Sequence, residues 1–228
     1  MHTIELAVFD MAGTTVDEDN VVYKTLQKAI NKKGLDLSLD FVLEHGAGKE
    51  KHQAIKDILK ANDTADEGYT TSEIFEDFKE LLKQAYQALE VSTYDGVPEL
   101  LESLKKANIK VALNTGYDKN TAQLLLDKMG WSQGNQYDAL ITADDVKLGR
   151  PNPDMIEAAM NLLQVTDAQK VLKAGDSIID IQEGKNAHCG MTVGVTSGAH
   201  NKEQLLSAKP TYVLDSLGEL KDILLKEA

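Results

Sequence analysis

A doubly wound parallel α/β sheet with an inserted helical unit is the fold class predicted by three features of the chain. From about residue 93 onward, short apolar runs alternate with amphipathic segments, the order that builds parallel strands through helical crossovers. Several runs stop abruptly at polar groups: residues 6–9 at Asp10, 109–113 at Asn114-Thr115-Gly116, and 171–174 at Gly175-Asp176. Between the first run and the second, residues 20–90 carry helical periodicity and no strand pattern. The implied division is a Rossmann-like core of residues 1–16 and 93–228, interrupted by a helical unit of residues 17–92.

The elements follow in order. Residues 6–9, Leu-Ala-Val-Phe, are apolar and partly β-branched and suit a buried parallel strand. Val22, Leu26, Ala29 and Ile30 recur at helical spacing up to Gly34, and Ser38 caps a short helix reaching His45. Residues 49–61 place Ile55, Ile58 and Leu59 on one face. Ser72 is expected to cap a long amphipathic helix through Phe75, Phe78, Leu82, Ala85 and Leu89. Pro98 opens a helix through Lys106, and residues 109–113 form a strand. A helix runs to Met129, residues 139–142 form a strand, 146–152 a loop and 153–163 a helix. Strand 171–174, helix 180–188, strand 192–195, a short strand at 212–214 and a last helix complete the pattern.

Composition narrows the class of function. A net charge of −13 and an isoelectric point near 4.8 argue against nucleic acid or an anionic membrane as a general partner. An anionic substrate would have to be held locally, by a metal and a few cations. One cysteine, Cys189, permits no internal disulfide and fits a reducing cytoplasm. No apolar run reaches membrane-spanning length, and no basic region followed by an apolar core opens the chain. The expectation is a soluble, cytoplasmic protein acting on a small molecule.

In open parallel sheets ligands sit beyond the carboxyl ends of the strands, which collects Asp10, Thr115 and Asp176 on one rim. The Ala12-Gly13 turn after Asp10 lets backbone N–H groups converge on an oxyanion. Asp10 in that position suits a covalent nucleophile toward phosphorus, or equally a cap for the following turn.

Taken together, Asp10, the Thr115-Gly116 pair, Gly149-Arg150-Pro151 and Gly175-Asp176-Ser177-Ile178-Ile179-Asp180 resemble the haloacid dehalogenase superfamily across the whole core. The resemblance makes Asp10 the nucleophile, gives Thr115 the phosphoryl group to bind and Arg150 its charge to hold. It assigns Mg²⁺ to Asp10, the backbone carbonyl of Ala12 and Asp176, with Asp180 supporting the site; an all-oxygen ligand set suits that ion. The helical unit corresponds to the superfamily's cap.

Two departures point to one branch. Most members that hydrolyse phosphate esters carry a second Asp two residues after the nucleophile, where this chain has Ala12, and a Lys where it has Arg150. Losing a general acid typically costs on the order of 10²–10⁴ in rate. Both features resemble the phosphonoacetaldehyde hydrolases (phosphonatases), which break a C–P bond by condensing a lysine with the substrate aldehyde. In Gly46-Ala47-Gly48-Lys49-Glu50-Lys51-His52 the resemblance puts Lys49 on the Schiff-base position and His52 on the proton-shuttling one, and Tyr117 on an active-site tyrosine beside Gly116. Each has a plainer reading: Lys49 as a solvated lysine or a grip for a distal phosphate, His52 as a packed histidine, Tyr117 as loop surface, Asp180 as the N-cap of its helix. His45 and Asn20 depart from the phosphonatase pattern. Three functions follow: a C–P hydrolase, a phosphate-ester phosphatase or phosphotransferase, and a non-catalytic module on the same fold. The resemblance also implies a homodimer paired through the caps.

Overall fold

The computed structural model describes residues 4–64 and 70–225. Six strands form one sheet: β1 Leu6–Asp10, β2 Lys110–Asn114, β3 Ala139–Ile141, β4 Val171–Gly175, β5 Met191–Val195 and β6 Tyr212–Leu214. All pairs are parallel, in the order β3-β2-β1-β4-β5-β6. The chain starts in the middle of the sheet and winds outward in both directions, so the carboxyl end of β1 lies at the topological switch point where crevices form.

Alternation along β1 sends Leu6 and Val8 to one face and Ala7 and Phe9 to the other, each fully buried in a different apolar cluster. Such two-sided burial explains the unbroken apolar run. Helices α1 Val21–Asn31, α2 Leu39–Gly46, α3 Lys51–Ala61 and α4 Thr71–Ala88 follow β1, and α5 Val97–Lys106 leads into β2. Then come α6 Lys119–Lys128, α7 Asp154–Leu162, α8 Ile178–Asn186, α9 Lys202–Ser207 and α10 Leu220–Leu224.

The first four helices bury one face each, with Val22, Leu26 and Ile30 of α1 and Ile74, Phe78 and Leu82 of α4 in one cluster. The two connections to the sheet run side by side. Asp17 and Ser92 exchange backbone hydrogen bonds of 2.9 and 3.1 Å, and Thr93 Oγ1 donates to the Thr15 carbonyl at 2.7 Å.

Several boundaries differ from the sequence expectation, and capping explains them. Thr70, whose hydroxyl accepts from Glu73 N, caps α4, leaving Ser72 inside its first turn. Glu50, accepting from His52 N and Gln53 N, caps α3, so that helix begins at Lys51 and Lys49 lies before it. Ser177 caps α8, and Asp180 completes the capping box from the third helical position rather than serving as the cap. Helix α9 carries its own capping box between Asn201 and Gln204; its six residues are too few to show a helical period in the sequence.

Candidate active site

The carboxyl ends of β1, β2 and β4 bring Asp10, Thr115 and Asp176 together around one small cavity of about 10 Å³. Ala12, Gly116, Tyr117 and Arg150 also line it, as do Tyr23, Gly48 and Lys51 from the helical unit. Asp10 ends β1, and the next residues close a tight turn in which Thr14, Thr15 and Val16 all donate to the Met11 carbonyl. The Thr15 hydroxyl ties that turn back to the Asp10 carbonyl at 2.8 Å. Gly13 adopts φ +81 there, and a side chain would collide with Asp176, so glycine is required by both conformation and space.

Behind Asp10 lies a wholly buried ionic network. Arg150 Nη1 meets Asp10 Oδ1 at 2.6 Å and Asp180 Oδ1 at 3.1 Å, and its Nε lies 3.2 Å from Glu183. Its Nη2 donates to both the backbone and the side-chain oxygen of Asn114. Lys173 Nζ reaches Asn114 Oδ1 at 2.6 Å, Asp180 Oδ1 at 2.9 Å and Glu183 at 3.2 Å. Burial would raise the Asp180 carboxyl, but Arg150 and Lys173 outweigh it and hold the group at about 2. Asp180 is therefore a fixed anion that orients the two cations.

Asp176 has the opposite surroundings. Burial, then Asp10 and Asp180 as like charges, push its carboxyl well above the usual range; the Ala199 N–H, 2.6 Å from Oδ2, offsets only part of this. Asp10 is also raised, by burial ahead of Arg150's opposing attraction. Ligand oxygens of Asp10, Asp176 and Asp180 lie within 4.8 Å of one another. Asp10, Asp180 and Glu183 pair with Arg150 and Lys173, and Asp176 adds a fourth buried carboxylate. The surplus of negative charge and the all-oxygen donors fit a hard divalent cation.

The helical unit supplies one amine to this cavity, and it is Lys51. Lys51 is 7% exposed, with its Nζ donating to the Lys49 carbonyl at 2.9 Å and poised over the Tyr23 and Tyr117 rings. Burial lowers it to about 8, against the attraction of Asp10. Lys49, the lysine expected here from the sequence, turns its amine away to Asp57; its backbone lies against Gly116. His52 likewise sits outside the cavity, edge-on to Phe75 with centroids 5.5 Å apart. Both departures have one cause. Gly48, at φ +74, turns the chain before Glu50 caps α3, so Lys49 and His52 do not share a helical turn.

Thr115 is buried and accepts from Tyr117 N. Tyr117 is buried too, not loop surface, and its hydroxyl has no hydrogen-bond partner among the described residues. Burial raises it well above the usual tyrosine range. Lys51, Tyr23, Asn114, Lys173 and Glu183 went unread in the sequence. Lys173 had a signal, a lysine inside an otherwise apolar strand. So did Lys51, which stands four residues before Ile55 and seven before Ile58, on the buried stripe of α3.

A parallel sheet of this order, with acids and cations gathered at the ends of β1, β2 and β4, defines a hydrolase of the haloacid dehalogenase type. A sequence model of the haloacid dehalogenase-like hydrolases matches residues 4–188, and the chain belongs to that family. Within it, the chain is 29% identical over 260 aligned positions to a phosphonoacetaldehyde hydrolase of Latilactobacillus sakei subsp. sakei, covering 99% of this chain and 97% of that one. It is 31% identical to a phosphonoacetaldehyde hydrolase of Bacillus cereus (strain B4264), covering 96% and 84%. The crystal structure of a phosphonoacetaldehyde hydrolase-like protein from Oleispira antarctica superposes with a TM-score of 0.84 at 22% identity, over 98% of this chain and 92% of that one.

Proposed function

We propose that the protein is a divalent-cation-dependent phosphonatase-type hydrolase, cleaving the C–P bond of phosphonoacetaldehyde or a similar phosphonate aldehyde with Asp10 as nucleophile and Lys51 as the condensing amine. The observation that carries this reading is the pairing in one cavity of a buried, pKa-lowered lysine with a nucleophilic aspartate whose neighbour two residues on is Ala12. A phosphate ester's alkoxide needs a proton donor, which Ala12 cannot supply. A carbon leaving group needs an electron sink, which a lysine imine supplies. The similarity to the two curated phosphonoacetaldehyde hydrolases supports the same choice.

In this mechanism the neutral Lys51 amine attacks the aldehyde and water departs, leaving a protonated imine. An Asp10 oxygen attacks phosphorus, the C–P bond breaks, and its electrons pass to the imine nitrogen as an enamine. Arg150 and the Thr115–Gly116 turn hold the phosphoryl oxygens. Water hydrolyses the aspartyl phosphate, and the enamine takes a proton on carbon before a second water frees acetaldehyde and Lys51. Asp10, Asp176 and the Ala12 carbonyl would hold Mg²⁺, which supplies charge neutralisation between nucleophile and phosphonate. Residues 17–92 act as the cap, carrying Lys51 and Tyr23 onto the core and shutting bulk water from the imine.

The test is borohydride trapping with Mg²⁺ and phosphonoacetaldehyde. The expected result is an ethyl group on the peptide containing Lys51, turnover lost in Lys51→Arg and retained in Lys49→Arg. A label on Lys49, no label, or preferential release of phosphate from alkyl phosphates would overturn the reading.

A further inference from the structure

Lys51, Gly116 and Tyr117 line two cavities at once. On one side is the reaction cavity of about 10 Å³. On the other is a cleft of about 470 Å³ running between α3 and α4 of the cap and α6 of the core. The size is that of a small-molecule site. Phe75, Phe78, Leu82 and Tyr86 of α4 form one wall and Leu124 of α6 the other. Phe75 and Phe78 stack with centroids 6.2 Å apart, and Leu124 is 40% exposed. The rim sets Lys79 and Lys83 against Asp118 and Asp144, so the cleft selects no net charge. A two-carbon aldehyde held at Asp10 and Lys51 would leave all of this surface untouched. Apolar surface gathered around a cleft in this way marks a binding site.

Resting on the proposed reading of the reaction centre, we propose that the cleft is a subsite for an apolar tail, and that the preferred substrates are phosphonates whose carbonyl carbon bears an alkyl or aryl group in place of hydrogen. In such 2-oxoalkyl or 2-oxo-2-arylethyl phosphonates the phosphonate lies at Asp10 and the carbonyl at Lys51. The tail then reaches past Lys51, Gly116 and Tyr117, which line both cavities, into the cleft. The chemistry balances as before. The ketone oxygen leaves as water when the imine forms, and the C–P electrons pass to the imine nitrogen. One water then cleaves the aspartyl phosphate and another releases the methyl ketone.

Binding separates the subsite from the reaction. In the presence of Mg²⁺, titration calorimetry with methylphosphonate and 2-phenylethylphosphonate, neither of which has a carbonyl, should show the phenyl compound binding roughly tenfold more tightly, as burial of one ring warrants. Leu124→Trp fills the cleft and Phe75→Ser removes its wall; each should bring that ratio close to one. Equal affinities in the wild type, or a ratio that survives both variants, would overturn the subsite. In turnover, kcat/KM for 2-oxo-2-phenylethylphosphonate should exceed that for phosphonoacetaldehyde by a similar factor. A tail preference in binding without C–P cleavage of either compound would leave the subsite standing and remove the imine reading. C–P cleavage without a tail preference would do the reverse.

Discussion

At the scale of single residues, the decisive placement is Lys51. An ordinary lysine is almost wholly protonated at neutral pH, and a protonated amine cannot attack a carbonyl. Burial brings Lys51 down to about 8, so the neutral fraction grows as pH rises through that value. The acid limb of kcat/KM for C–P cleavage should therefore fall near pH 8, with activity climbing toward alkaline pH. A flat profile between pH 6 and 9 would show that no such amine participates. The family resemblance favours Lys49, and Lys51, two residues on, stands out only by its place on the buried stripe of α3. What separates them is a turn at Gly48, whose added Cβ would meet Ser177 Oγ at 2.6 Å. Close approach of the Gly48 loop to Ser177 and Ile179 is a tertiary fact that spacing alone cannot convey.

At the scale of elements, β4 and α8 form one unit through Lys173, Asp180 and Glu183. Removing one partner from a buried ionic cluster leaves the others uncompensated, which typically costs about 3–5 kcal/mol. Asp180→Asn should thus lower stability to urea by that order at pH 7. Because the Asp180 carboxyl is held at about 2, its contribution is fully present above the ordinary Asp value and fades as pH falls through about 2. The difference between wild type and variant should shrink over that acid range; a pH-independent difference would point to packing instead. The motif Gly-Asp-Ser-Ile-Ile-Asp announced this unit, and the strand and helix positions around it were legible from apolar runs and breakers. Glu183 was not, because a glutamate inside a helix looks solvated until the strand beneath it is known to carry a lysine.

At the scale of the molecule, folding and metal binding are linked. The acids that would hold Mg²⁺ come from β1 and the end of β4, far apart in sequence, so the ion binds the folded chain and not the unfolded one. At a free concentration one hundred times its dissociation constant it should add about 2.7 kcal/mol, or very roughly 5–10 °C in Tm for a chain of this size. Asp176→Asn should abolish that shift, and chelation should abolish turnover in the wild type. An unchanged Tm on adding Mg²⁺ would remove the metal from its proposed place. The parallel sheet was legible strand by strand from its apolar runs, although the short crossover α9 between β5 and β6 was not. The narrow meeting of the α1–α4 helices with the ends of the strands was not, since it depends on how two separately patterned regions face one another.

The paired crossing at Asp17 and Ser92 bears on how such a protein changes over generations. The chain leaves the sheet and returns to it at a single point, so everything between can lengthen, shorten or be exchanged without moving a strand. Selection can then revise the upper half as a cassette while the rim of acids below is inherited intact. Descendants of one ancestor would share the same floor of strand-end carboxylates and differ in what they fasten over it. In this chain the part most open to such replacement is the one that delivers Lys51.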